Sequence, residues 1–139
     1  MSTDTAILIY MSNNTYIPGV CNIGPAEIRA RRASGYFGLS ITLVMFALFY
    51  TVSVDASLRL LIFLPAALAA AGFLQARLHF CANFGMRGLF NLGDDMRHHE
   101  SVDQAEYRRK DQRKAVTIIA GSAVIGLFIA LVAYWLPFS

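Results

Sequence analysis

The apolar stretch at residues 115–136, AVTIIAGSAVIGLFIALVAYWL, decides the fold class. It contains no charged residue, and a helix of about 20 apolar residues spans the roughly 30 Å hydrocarbon core of a bilayer. Tyr134 and Trp135 stand near its end, where amphipathic rings prefer the membrane interface, and Pro137 follows. The stretch predicts a transmembrane helix.

Two further apolar stretches precede it. Residues 36–54 read YFGLSITLVMFALFYTVSV and residues 60–76 read LLIFLPAALAAAGFLQA. The chain is 56% hydrophobic and 15% charged, whereas soluble domains carry about 25% charged residues. A soluble fold of this size lacks the polar surface to cover three such stretches. We therefore predict an all-α integral membrane protein with three transmembrane helices, and exclude a disordered chain, a disulfide-rich secreted scaffold and a water-soluble enzyme.

The segments around these stretches divide the chain into four parts. We expect a cytoplasmic N-terminal arm (1–24), an interfacial helix with a two-helix membrane hairpin (25–93), a charged cytoplasmic stalk (94–114) and the third span (115–139). The arm contains the apolar run AILIYM at residues 6–11, which is too short to cross a membrane and unfavourable to expose. We predict an extended arm held by a neighbouring subunit, with a frayed tail as the alternative.

Local signals place two helices next to the spans. Pro25 suits the first position of a short interfacial helix, and Gly35 allows a bend between this helix and the first span. Ser101 and Gln104 form a capping-box pattern, which predicts a solvated helical stalk that begins there and continues into the third span. The cations expected to contact lipid headgroups are Arg29, Arg31 and Arg32.

The basic residues predict the orientation. The chain has 12 Lys and Arg against 9 Asp and Glu, a net charge of +3, and its cations concentrate before the first span and between the second and third. Because cytoplasmic loops are enriched in Lys and Arg, we predict a multi-pass protein of a bacterial-type inner membrane. The N-terminus and the 82–114 loop would be cytoplasmic and the C-terminus outside. Expected partners are lipids and other membrane subunits, in a homo- or hetero-oligomer, and no nucleic acid.

One part of the chain resembles a known family. The resemblance is carried by Cys21-Asn22-Ile23-Gly24, Glu27-Ile28, Arg31 and Gly35 at its start, and by Cys81 and Gly85 at its end. These residues resemble YgaP-like inner-membrane domains, two-span units often fused to or encoded near rhodanese sulfurtransferases. The pattern covers residues 22–93, with Ala82 in place of the usual proline and without a rhodanese active-site loop. The resemblance implies a fold, a two-helix hairpin with an interfacial helix, rather than a reaction, and the sulfur-transfer activity of fused relatives is not carried over to this chain.

Three residues are candidates for chemistry. His79, near the cytoplasmic end of the second span, could ligate a haem or chlorophyll, although the sequence requires no cofactor. Cys21 and Cys81 both fall near the cytoplasmic headgroups, where a thiol pair could handle sulfur or redox equivalents if cations activated it. The alternatives are a hydrogen-bonded boundary histidine and ordinary buried thiols. No metal site is predicted, because two cysteines without CxxC spacing are too few.

The spans offer packing surfaces in place of charged sites. They carry no Asp, Glu, Lys or Arg between their ends, unlike proton pumps and ion-coupled transporters. Small residues let helices approach closely, against a partner or within one chain. The predicted helix-contact positions are Ala67 and Ala71 in the second span, and Ser122, Gly126 and Ala130 in the third.

These observations predict a non-catalytic accessory or scaffold subunit of a larger membrane complex, for example a respiratory or photosynthetic one, and no enzyme. One alternative is a membrane protein that handles thiols or a cofactor, in sulfur or electron transfer, through Cys21, Cys81 and His79. Another is a small homo-oligomeric channel, for which the spans offer only Ser40, Thr42, Thr51 and Gln75 as polar lining.

Overall fold

A computed structural model describes residues 16–97 and 99–137 of the chain. Its elements are α1 (Pro25–Val52), α2 (Ala56–Arg59), a 3₁₀ turn (Leu60–Ile62), α3 (Phe63–Leu78), α4 (Ala82–Arg87), β1 (Leu89–Phe90), β2 (Glu100–Ser101) and α5 (Ala105–Trp135). Three segments are long and apolar enough to cross a membrane: Pro25–Val52, Ala56–Leu78 and Ala105–Trp135. The prediction of an all-α membrane protein with three transmembrane helices is confirmed.

The central helix is α3, which packs against both α1 and α5. The outer faces of α1 and α5 expose large apolar side chains, such as Phe37, Leu43, Leu127 and Phe128. In water such faces would be unfavourable, whereas lipid tails accommodate them. This distribution is that of a small helical bundle surrounded by lipid.

Glycines set the close crossing of α1 and α3. A Cβ atom on Gly72 would collide with the backbone of Gly35, and one on Gly38 would lie 2.6 Å from the backbone nitrogen of Ala69. The predicted bend at Gly35 is therefore wrong: α1 runs without interruption through this residue, and the expected interfacial helix forms its first turns. The absence of a side chain at Gly35 serves close helix approach.

The predicted small-residue face of the third span packs against α3 of the same chain. A Cβ on Gly126 would lie 2.8 Å from the Cβ of Ala67. Ser122 and Ala130 are buried on the same face of α5, and Ala130 belongs to an apolar cluster with Ile62. Ala71 is half-buried in α3. The helix contacts that these residues make are thus within one chain.

Arg59 holds the opposite end of the bundle together. Its Nη1 donates to the carbonyl oxygen of Leu136 at 2.9 Å, and its Nε donates to that of Val54 at 2.8 Å. The last carbonyls of a helix lack intrahelical donors and carry partial negative charge, so a cation is favourable there. The loop between α1 and α2 is thereby fixed to the C-terminal end of α5.

The charged connection before α5 starts differently from the prediction. Ser101 pairs with Leu89 in the short antiparallel sheet of β1 and β2, and α5 begins only at Ala105. Val102 is buried and donates its N–H to the carbonyl oxygen of Gly88 at 2.8 Å, which holds this part of the chain extended. The capping-box start at Ser101 is therefore wrong, while the continuous helix into the third span is observed.

Candidate functional site

Residues 16–24 fold back against the loops around Cys81 and Asn91 of their own chain. Ile17 and Cys21 form a tight backbone pair, with Gly19 in the left-handed conformation at φ 70°. Cys21 and Ile23 are fully buried. This part of the predicted arm is neither extended nor frayed, because its own chain covers it. The apolar run at residues 6–11 lies outside the described residues.

Asn22 joins this segment to the loop after α3. Its Nδ2 donates to the carbonyl oxygen of Cys81 at 3.1 Å, and its Oδ1 accepts from the backbone nitrogen of Cys81 at 2.7 Å. Its own backbone nitrogen donates to the carbonyl oxygen of His79 at 3.2 Å. Since Asn22 is fully buried, these bonds satisfy polar groups that water cannot reach.

Asn91 provides a second connection to the same segment. Its backbone nitrogen donates to Asn22 and its carbonyl oxygen accepts from Gly24, at 2.9 and 2.7 Å. A Cβ on Gly24 would overlap the backbone of Leu92, so the backbones of these two segments are in direct contact. The residue before α1 is thereby fixed to the loop after β1.

Asp111 anchors the start of α5 to the same region. This fully buried carboxylate accepts from the phenol oxygen of Tyr16 at 2.6 Å and from the backbone nitrogen of Gly19 at 2.7 Å. Burial, followed by the bond to Asp111, raises the pKa of Tyr16 far above its ordinary value, so the phenol stays a donor. The prediction of a fully solvated stalk is wrong on this face. We call residues 16–24, the loops around Cys81 and Asn91, and Asp111 the polar cap.

Of the three predicted headgroup cations, Arg31 is engaged within the chain. Its Nη2 lies 3.2 Å from Oε2 of Glu27, which is buried in the first turn of α1. A carboxylate in that position also interacts favourably with the helix dipole. Arg29 and Arg32 are exposed, and their guanidinium groups can reach headgroups.

The polar cap brings the regions of both cysteines together. Cys21 and Cys81 are fully buried free thiols, joined through the bonds that Asn22 makes to Cys81. Burial raises the pKa of Cys21 to about 11 and that of Cys81 above its ordinary value, although Lys114 acts in the opposite direction on Cys21. Because the thiolate is the reactive form, both groups are poor nucleophiles in this state.

His79 ends α3 in a left-handed conformation at φ 53°. Burial, followed by the nearby charge of Arg32, lowers the pKa of its imidazole, so the neutral form is favoured. Its carbonyl oxygen receives the N–H of Asn22. Within residues 16–97 and 99–137, no group of three His, Cys, Asp or Glu residues is placed to hold a metal ion.

The polar side chains of the spans bond to backbone within the chain. Ser40, Thr42 and Thr51 each donate to a carbonyl oxygen one turn earlier in α1. Gln75 donates to the carbonyl oxygen of Ala71 and accepts from the backbone nitrogen of Ala82 at 2.9 Å. Groups engaged in this way offer little to a hydrated pore.

Comparison of the chain with protein-family models, curated proteins and solved structures finds no match. The resemblance to YgaP-like domains stays a prediction that rests on the residues quoted above. Sequence reasoning missed Tyr16, Asn91 and Asp111, which the structure places in the polar cap. The function is therefore argued from the surfaces of this chain.

Proposed function

We propose that this protein is a non-catalytic accessory or scaffold subunit of a larger membrane complex. The observation that carries the proposal is an exposed stripe on α1 with alternating small and large side chains: Ser40, Leu43, Ala47 and Tyr50. These residues recur at intervals of three and four and so lie on one face of the helix. A partner helix can place its side chains over Ser40 and Ala47.

This stripe lies away from the face of α1 that packs on α3. The inward face includes Gly35, Gly38 and Thr42, all buried. The predicted small-residue contact between α3 and α5 is made inside the chain, where Ala67 meets Gly126. The exposed stripe of α1 is a surface that a partner subunit can cover, in an assembly that a respiratory or photosynthetic complex would exemplify.

We also propose a bacterial-type inner membrane with the polar cap in the cytoplasm and the C-terminus outside. The start of α1, the end of α3 and the start of α5 lie at one end of the bundle, and each carries arginines: Arg29, Arg31, Arg32, Arg77, Arg108, Arg109 and Arg113. At the other end, Arg59 bonds to the carbonyl oxygen of Leu136. Such an imbalance of basic residues favours the cationic end in the cytoplasm.

The test is purification from native membranes in mild detergent, with mass spectrometry of the co-eluting proteins. Ala47→Phe fills the small position of the stripe and should reduce the yield of the partner subunit several-fold. Leu48→Trp adds bulk at an exposed position that is not three or four residues from any member of the stripe, and should leave that yield unchanged. Purification of the wild type as a stable monomer with no co-eluting subunit would contradict the proposal.

A further inference from the structure

A groove follows the charged beginning of α5. One part has a volume of about 590 Å³ and is lined by Met86, Arg109, Gln112, Arg113, Val116 and Thr117. An adjoining part of about 440 Å³ shares Arg113 and Thr117 and adds Pro18, Gly19, Lys110 and Lys114. We call the two parts the α5 groove. Its described lining contains four cations and no acidic residue.

Among the described residues, no acidic side chain neutralises the arginines of the α5 groove. In the part of the chain that the structure describes, neither Arg109 nor Arg113 forms an ion pair. Nζ of Lys110 lies 3.5 Å from Oε1 of Glu106, and an exposed ion pair of this kind contributes little to stability. Asp111 is fully buried and does not line the groove, and its carboxylate accepts from Tyr16 and Gly19. The groove therefore presents unpaired positive charge to an anion.

The position of the groove along α5 also restricts its ligand. Arg113 precedes the apolar stretch that starts at Ala115, whereas Val116 and Thr117 lie within that stretch. From Arg109 to Thr117 the helix rises about 12 Å, at 1.5 Å per residue. A headgroup layer is only about 5–7 Å thick, so the groove extends from the headgroups into the first part of the hydrocarbon. A suitable ligand is negatively charged at one end and apolar at the other.

We propose that the α5 groove binds one anionic phospholipid, with its phosphate at Arg109 and Arg113 and its first acyl carbons against Val116 and Met86. Guanidinium groups bind phosphate oxygens through paired hydrogen bonds, and both arginines are exposed and available. Met86 and Val116 present exposed apolar surface beside them. This site is separate from the outer stripe of α1 and does not depend on the accessory role proposed above.

A second groove at the same end of the molecule provides the comparison. It has a volume of about 610 Å³ and contains Arg29 and Arg97, but Asp94 and Asp95 line it as well and offset their charge. Carboxylates disfavour a phosphate at short range. Removing cations here should therefore affect a bound anionic lipid much less than removing them from the α5 groove.

The experiment titrates the full-length protein, in neutral detergent, with phosphatidylglycerol and phosphatidylcholine and counts bound lipids by native mass spectrometry. The wild type should retain one phosphatidylglycerol in preference to phosphatidylcholine. R109Q/R113Q should weaken phosphatidylglycerol binding about tenfold, since each surface cation contributes to anionic-lipid affinity. R29Q/R97Q, which removes the same charge from the second groove, should leave the affinity for the retained phosphatidylglycerol within about twofold of the wild type, because Asp94 and Asp95 make that groove a poor anion site.

Three results would overturn the proposal. An equal loss of phosphatidylglycerol affinity in both double variants would mean that the lipid is attracted diffusely by surface charge. No preference for phosphatidylglycerol over phosphatidylcholine would mean that the groove is not an anionic-lipid site. Displacement of the lipid by an equal concentration of glycerol 3-phosphate would mean a free-phosphate site, because that competitor lacks the acyl chains. Thermal unfolding of each variant verifies that it is folded. If the double variant does not fold, Arg113→Gln alone replaces it in the lipid titration.

Discussion

The side-chain amide of Asn22 bonds to both the N–H and the carbonyl oxygen of Cys81, 59 positions later in the chain. The amide oxygen provides the acceptor for an N–H at the start of α4, where helical donors lack partners. The carbonyl oxygen of Cys81 also receives the N–H of Gly85 at 2.9 Å. The N–H is thus the group that depends more on Asn22.

We expect Asn22→Ala to lower the free energy of unfolding by about 1–3 kcal/mol, because it leaves the buried N–H of Cys81 without its acceptor. Thermal or SDS-induced unfolding in detergent measures this change. Asn83→Ala is the control: its side chain is exposed in α4, and its removal should change stability by less than about 0.5 kcal/mol. Equal effects of the two substitutions would show that the Asn22 bonds contribute nothing specific.

The bond between Tyr16 and Asp111 should appear as an energetic coupling. In a double-mutant cycle of Tyr16→Phe and Asp111→Asn, we expect an interaction free energy of about 1–2 kcal/mol, because the phenol donates to a buried carboxylate. A cycle of Tyr36→Phe with Asp111→Asn should be additive within about 0.5 kcal/mol, since Tyr36 lies on the membrane part of α1. Additivity in the first cycle would refute the coupling.

The inward orientation of Asp111 could have been predicted. The buried face of α5 consists of Asp111, Ala115, Ile118, Ser122, Gly126, Ala130 and Ala133. Extending the small-residue pattern back from Ser122 by steps of three and four residues leads to Asp111. The mixed charges around Asp111 indicated solvent exposure instead. That indication was wrong for Asp111 because charge composition does not distinguish one face of a helix from another. Periodicity was the more informative signal here.

The polar cap could not be predicted in the same way. The three spans follow from local hydropathy, whereas the bonds of Asn22 and Asn91 join segments that are far apart in sequence. Local capping signals at Ser101 failed because burial of Val102 holds that segment in an extended conformation. Gly35 was misassigned for a related reason: only the position of Gly72 reveals that the glycine serves helix approach.

The raised pKa of Cys21 predicts a thiol that resists alkylation in the folded protein. Iodoacetamide at pH 8 should modify it slowly in detergent and rapidly after unfolding in SDS, because burial keeps the thiol protonated and covered. The control is Ser57→Cys, which places a thiol at an exposed position and should react in the folded state. Rapid modification of native Cys21 would contradict the buried site.

The same shift has a defined effect on stability. The folded state binds the thiol proton of Cys21 more tightly than the unfolded state, and this difference contributes to the free energy of unfolding. The contribution is fully present below pH 9 and is lost as the pH rises through about 11. The difference in unfolding free energy between the wild type and Cys21→Ser should decrease over that interval. A difference that is constant from pH 8 to 11 would contradict it.

The proposed orientation predicts which introduced thiols can be labelled from outside the cell. Ser57 lies in α2 at the end that carries Arg59, and Ser101 lies in β2 at the cationic end. A membrane-impermeant maleimide should label Ser57→Cys in intact cells and Ser101→Cys only after cell disruption. The buried native thiols keep the background low. The reverse pattern would invert the topology.

Two glycines of α5 predict opposite effects of the same substitution. A Cβ on Gly126 would lie 2.8 Å from the Cβ of Ala67, whereas one on Gly121 would meet its nearest neighbour, Cδ1 of Leu74, at 3.8 Å. Gly126→Ala should therefore destabilise the bundle by about 1–3 kcal/mol through overpacking. Gly121→Ala should leave stability unchanged or raise it by up to about 1 kcal/mol, because alanine favours the helix. SDS-induced unfolding compares the two, and a similar change in both would mean that α3 and α5 do not approach as closely as the contact at Gly126 requires.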